Sequence, residues 1–112
     1  MSRAVRIGDT IAVAGTAPIL PDTIAAYPGD VYAQTKLCLA IVRRAIEDAG
    51  ATLDDVIRTR ILLTDIARWK DAARAHGEMF GGVKPACTFV QVVAFVHPDW
   101  LVEVEADAIA RA

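Results

Sequence analysis

The residues best placed to do chemistry in this chain are three acids in strict alternation, Glu103, Glu105 and Asp107, separated by Val104 and Ala106. A period of two puts the acids on one side of a strand and Val102, Val104 and Ala106 on the other. Three carboxylates cannot line a buried side unpaired, so theirs must meet water, cations or another subunit. Arg58 and Arg60 alternate in the same way further upstream. A thiol stands at Cys87, on the side of its segment that also carries Phe89, Gln91 and Val93. A cysteine becomes a nucleophile or redox group only beside a partner that stabilises its thiolate, and the sequence puts neither His76 nor His97 there. The sequence therefore favours a small, partly buried filler at Cys87. His76 falls on an apolar helix stripe, as a hydrogen-bonded core histidine would, and His97 falls in a turn open to solvent. No His/Cys spacing suits zinc and no glycine pattern suits a phosphate loop, so no metal and no cofactor are expected.

The chain that positions these groups has 112 residues, enough for one domain (1–112) with a real core but not for a second module. A hydrophobic share of 54% with 23% charged residues excludes a disordered chain and suggests surface buried between subunits. The formal net charge of −2, with scattered basic residues, argues against a nucleic-acid partner gripped through its phosphates. Cys38 and Cys87 have no paired spacing, and no signal peptide or membrane-length apolar run precedes them. Free thiols in a cytoplasmic protein are the expectation.

In chain order, Arg3–Ile7 and Thr10–Ala14 are short β-type runs around Gly8-Asp9, a hairpin. Residues 15–29 hold three prolines and two glycines, a long loop. Asp30 caps a helix to about Ala49, stopped by Gly50, with Val31, Thr35, Cys38, Val42, Ala45 and Ala49 on its buried face, widened by Leu39, Ile41 and Ile46. Val56–Thr64 is a strand with Ile57, Thr59, Ile61 and Leu63 on one face and Val56, Arg58, Arg60 and Leu62 on the other. Asp65 caps a second helix whose stripe is Ile66, Trp69, Ala73, His76 and Phe80, ended by Gly81-Gly82. Lys84–Asp107, broken at His97-Pro98-Asp99, reads as a C-terminal hairpin. The order β-β-α-β-α-β-β predicts an α+β domain, one sheet with both helices on one face. The other face would carry the two arginines and three acids among Leu62, Phe89 and Val93, a mixture suited to packing against another copy.

Several segments together resemble the Rid family, also called YjgF/YER057c/UK114 and, in older usage, endoribonuclease L-PSP. They are Ala14-Gly15-Thr16-Ala17-Pro18, Gln34-Thr35-Lys36, residues 49–56 and 58–66, Pro85-Ala86, and Val102-Glu103-Val104-Glu105-Ala106. The resemblance spans nearly the whole chain. It implies a chorismate-mutase-like fold and a homotrimer with a central barrel, with small-metabolite clefts between subunits. Members of the family hydrolyse reactive imines and enamines such as 2-aminoacrylate to 2-keto acids and ammonia. In that branch an arginine after Pro-Ala grips the substrate carboxylate, a task for which the guanidinium fork is suited.

Here Cys87-Thr88-Phe89 stands where the family has Arg-Ser-Cys, so the catalytic arginine is missing from its expected place. The family's Ser-Gly-Gln is Ala14-Gly15-Thr16, and the position of an aromatic residue before the first strand is Met1. What matches is Glu103, first in the Glu-x-Glu-Ala pattern, for which the resemblance implies a water-positioning role. Pairing with Arg58 or Arg60 across the barrel is the alternative for the same side chain. The implied cleft gathers Glu103 with Cys87, Phe89, Gln91 and Thr16. Three functions stay open in this order: hydrolysis of an imine or enamine with a non-standard substrate, a non-catalytic ligand-binding or regulatory trimer, and an endoribonuclease or translation inhibitor. Arg3 or Arg6 reaching the cleft from a neighbouring subunit also stays open.

Overall fold

Gly8, with φ +59°, turns the chain between Ala4–Ile7 (β1) and Thr10–Thr16 (β2), which pair antiparallel as the sequence predicts. The structure is a computed structural model describing residues 1–111. After the long loop, Asp30 caps Val31–Asp48 (α1), its carboxylate accepting from the Ala33 N–H at 3.0 Å. Gly50 at φ +90° ends the helix. Val31, Gln34, Thr35, Cys38, Leu39, Val42 and Ile46 form the buried face, while Ile41, Ala45 and Ala49, expected there, are only half-buried. The remaining elements are Val56–Leu63 (β3), Trp69–Phe80 (α2), Ala86–Gln91 (β4) and Val102–Ile109 (β5). Short 3₁₀ turns, Leu53–Asp55 and Ile66–Arg68, lead into β3 and α2.

The five strands make one mixed sheet in the order β1-β2-β5-β3-β4. The α+β class and the single sheet agree with the sequence, but the C-terminal hairpin does not form. β4 runs parallel to β3 at the sheet edge, and β5 lies on the other side of β3, antiparallel to both β3 and β2. A crossover helix between two neighbouring strands forces them parallel, and α2 is that crossover. Alternation identified β4 and β5 as strands, but it carries no information about which neighbour each one takes.

Two further corrections concern phase. The β3–β5 register shifts between Val56 and Arg58, so Val56 is buried and Ile57 half exposed, the reverse of simple alternation. Thr59, Ile61 and Leu63 are fully buried as expected. In α2 the buried residues are Ala72, Ala75 and Phe80, with His76 and Met79 half-buried beside them. Ile66 and Trp69 are exposed because the first turn winds as a tighter 3₁₀ helix and rotates the apolar stripe. Both helices contribute to one core, with Leu39, Val42 and Ile46 from α1 and Ala72, Ala75 and Phe80 from α2 joining Ile61, Leu63, Val102 and Val104 from the sheet.

Gln34 is fully buried and joins three segments that are distant in sequence. Its Nε2 donates to the Ala26 and Asp99 carbonyls, each at 3.0 Å, and its Oε1 accepts from the Leu101 N–H at 2.9 Å. It pins the long loop and the entry to β5 onto α1. Removing it orphans buried backbone groups on both segments, so Gln34→Ala is expected to cost about 2–4 kcal/mol. Urea denaturation measures this; a loss well under 1 kcal/mol would show that water replaces the clamp.

Candidate functional site

Glu103 sits on the open face of β5, beside Leu62 of β3 and below a distortion in β2. Between Val13 and Thr16, β2 carries one residue more than the stretch of β5 it faces, from Ala106 to Val104. The bulge brings Gly15 onto the acid: a Cβ at Gly15 would lie 3.0 Å from Glu103 Oε1. A glycine inside a strand often marks such a close approach, and that was the one signal of it in the sequence.

Arg3 joins the same group. The Ala14 N–H donates to the Arg3 carbonyl at 2.9 Å, which places Arg3 next to Ala14 at the start of β1. Its Nη1 then donates to the Gly15 carbonyl at 3.0 Å and to Thr16 Oγ1 at 2.9 Å. Thr16 is fully buried, and its hydroxyl also donates to the Ala14 carbonyl at 2.8 Å, so this predicted cleft residue serves as an anchor for Arg3. Partial burial pushes the Glu103 carboxyl above the usual carboxylate range; the Arg3 charge pulls it down less strongly, and the neighbouring Glu105 pushes it further up. Among the described residues Glu103 has no ion-pair partner. Arg60 is taken by Asp107, Nη1 to Oδ2 at 3.4 Å.

The other predicted site residues lie elsewhere in the chain. Cys87, Phe89 and Gln91 are in register with Thr59, Ile61 and Leu63, whose side chains face the helices, so all three lie across the sheet from Glu103. This also corrects the placement of Phe89 on the open face, since its ring packs edge-on against Trp69 of α2, with centroids 5.6 Å apart. Gln91 Oε1 accepts from the Ile66 N–H at 2.9 Å. Cys87 is exposed at the sheet edge and hydrogen-bonded to the Thr59 hydroxyl, which lies 2.8 Å from His76 Nε2. That thiol–hydroxyl–imidazole chain was invisible in the sequence, because nothing there pairs β3 with β4. Desolvation pushes the Cys87 thiol up, the Thr59 hydrogen bond opposing it, and burial pushes the His76 imidazole down. Both groups are therefore held neutral, and the chain makes no thiolate. His97 is half-buried rather than free in solvent, its Nδ1 accepting from the Asp99 N–H at 3.1 Å.

A surface cavity of about 500 Å³ under residues 93–100 is lined by Thr64, Phe95, His97 and Trp100, away from Glu103. No three His, Cys, Asp or Glu side chains converge as a metal site among the described residues, and no described helix is long and apolar enough to cross a membrane. Among the described residues Glu103, Gly15, Thr16 and Arg3 come together around the β2 bulge, an acid and a guanidinium linked through Gly15.

Comparison with known proteins gives this group a context. The endoribonuclease L-PSP family matches residues 1–110. A RutC family protein of Pyrococcus abyssi is 36% identical over 107 residues, covering 96% of this chain and 84% of its own length. The crystal structure of a Mycobacterium tuberculosis member of the YjgF/YER057c/UK114 family superposes with a TM-score of 0.87 at 44% identity, covering 98% of this chain and 86% of that one. Escherichia coli TdcF, crystallised with bound serine, superposes with a TM-score of 0.89 at 25% identity, covering 99% and 88%.

The raised pKa of Glu103 has a consequence for stability. The folded chain binds this proton more readily than the unfolded chain does, so the ionised carboxylate destabilises the fold once pH exceeds its folded pKa. The effect fades as pH falls back toward the ordinary glutamate value of about 4.3 and is absent below it. Glu103→Gln should therefore raise the melting temperature at pH 7, on the order of a few degrees at most, and leave it unchanged near pH 3. Calorimetric scans of both proteins across that range test the sign; a Tm lowered at pH 7 contradicts it.

Proposed function

The chain belongs to the endoribonuclease L-PSP family, and from that premise we propose that it hydrolyses a small imine or enamine, with Glu103 positioning and deprotonating the attacking water. The observation that carries the proposal is a half-buried carboxylate that has no ion-pair partner among the described residues, pressed against Gly15 and shifted upward in pKa. A base works best when its pKa approaches the operating pH, and partial desolvation moves Glu103 that way. In the balanced step, water adds across the C=N bond of the imine, and Glu103 takes a water proton as the C–O bond forms. Returning that proton to nitrogen gives a neutral carbinolamine; transfer of its remaining hydroxyl proton to nitrogen, through the same carboxylate, then breaks the C–N bond and leaves a carbonyl, so one imine and one water give one keto product and one ammonia. The bound serine in the TdcF structure supports a ligand of amino-acid size.

Self-association as a homotrimer belongs to the same proposal. Val5, Ile7, Val90 and Ile109 are exposed on the uncovered side of the sheet, where a second and third copy would bury them. Closure around that face would also convert the Glu103 group from an open surface into a cleft.

A second reading, a ligand-binding trimer without turnover, is favoured by one observation: Cys87, at the position where the resemblance implies a carboxylate-gripping arginine, lies across the sheet from Glu103. Endoribonuclease activity ranks third, because the net charge is −2 and both histidines are engaged in local hydrogen bonds.

Incubation with freshly generated 2-aminoacrylate, with ammonia and pyruvate measured against buffer, tests the first reading. Glu103→Gln should lower kcat by about 100-fold or more, in keeping with loss of a general base. No rate above buffer for the wild type, together with stabilisation by small keto acids, would favour the binding trimer.

A further inference from the structure

Resting on the proposed self-association, and independent of the hydrolase reading, we propose that Arg58 of one copy pairs with Glu105 of another across the open sheet face. Ion pairing, and not apolar burial alone, then sets how the copies align. On that face β3 places Arg58, Arg60 and Leu62 opposite Asp107, Glu105 and Glu103 of β5. Opposite charges therefore face each other twice, yet the ion pair that forms joins neither facing couple. Arg60 leans past Glu105 to Asp107, with Nη1 3.4 Å from Oδ2.

The twist of the sheet accounts for this choice. In a twisted antiparallel pair, one diagonal between neighbouring residues closes and the other opens. Arg60 and Asp107 lie on the closed diagonal. Arg58 and Glu105 lie on the open one and make no ion pair with each other. Along the closed direction the neighbour of Arg58 is Ile109 and that of Glu105 is Leu62, so each meets an aliphatic side chain where it needs a charge. The flanking strands supply none either. β4 sets Ala86, Thr88 and Val90 beside Arg58, Arg60 and Leu62, and β2 sets Ala12 beside Asp107 and its bulge beside Glu105.

Arg58 is exposed and Glu105 half-buried, and neither has an ion-pair partner among the described residues. A partly desolvated carboxylate without a cation is costly, and a cation brought to it recovers that cost. Whatever covers the face must therefore supply an acid, a base and apolar contact for Val5, Ile7, Val90 and Ile109. A polyanion answers Arg58 but meets Glu103 and Glu105, and a basic partner answers the acids but leaves Arg58 alone. This same face carries both signs among aliphatic side chains, so a second copy is its complement. In a closed ring each copy gives Arg58 to one neighbour and receives the other neighbour's arginine on Glu105.

Sedimentation equilibrium of the intact chain, of Arg58→Glu, of Glu105→Arg and of the double reversal tests the pairing. Wild type should associate. Each single reversal brings like charges together and should weaken association by about tenfold or more, and the double reversal should recover most of that loss. Circular dichroism checks that each variant folds. Should a reversal fail to fold, Arg58→Gln and Glu105→Gln supply the comparison, the double variant then losing no more than either single one. Single reversals that associate as wild type does, or a double reversal no tighter than the singles, overturn the pairing alone. A wild type that stays monomeric at every concentration overturns the trimer and the pairing together.

Discussion

Two helices that both lie against one side of a five-stranded sheet leave the other side uncovered, and most features of this chain derive from that asymmetry. Ile11, Val13, Ile61, Leu63, Val102 and Val104 point toward α1 and α2 and disappear from solvent. Every alternate residue must then face outward, and there the sequence places acids, arginines and aliphatic side chains together. Such a face is too apolar for bulk solvent and too charged for a core. Glu103 sits on this face, where its environment depends on whatever approaches the sheet.

Much of the architecture was legible because local signals and tertiary demands coincide. The Asp30 cap, the Gly8 and Gly50 turns and the alternation in β5 each reflect a short-range constraint that packing leaves intact. What escaped was long-range or phase-sensitive. The partner of β4 was set by the crossover through α2, not by anything within β4, so an apparent hairpin became an edge strand on the far side of β3. One β-bulge exchanged the faces of Val56 and Ile57, and one 3₁₀ turn rotated the α2 stripe away from Ile66 and Trp69. A shift of a single residue is enough to reverse an inside-outside assignment in a strand.

The candidate site divides along the same line. Glu103 could be singled out because its alternation with Val102 and Val104 is local. Cys87, Phe89 and Gln91 were grouped with it on the assumption that β4 and β5 are neighbours; with β3 between them, and with the three facing the helices, that grouping cannot form within one chain. From the sequence Arg3 is only a residue that could reach the cleft from a neighbouring subunit, whereas the structure joins it to Gly15 and Thr16 of its own chain. Its placement comes from a β1–β2 ladder extended by the Ala14–Arg3 hydrogen bond, and from the β2 bulge that turns the Gly15 carbonyl toward its guanidinium.

The separation between Arg3 and Glu103 is itself informative. A direct ion pair would stabilise the carboxylate and drive its pKa down, making it a weaker base. Here the arginine is held back by Gly15 and Thr16, and partial burial of Glu103 outweighs its attraction. The bulge therefore serves two ends with one extra residue. It brings a side-chain-free Gly15 against the acid, and it fixes the arginine where its charge is felt but not neutralised. A regular β2 strand would supply neither.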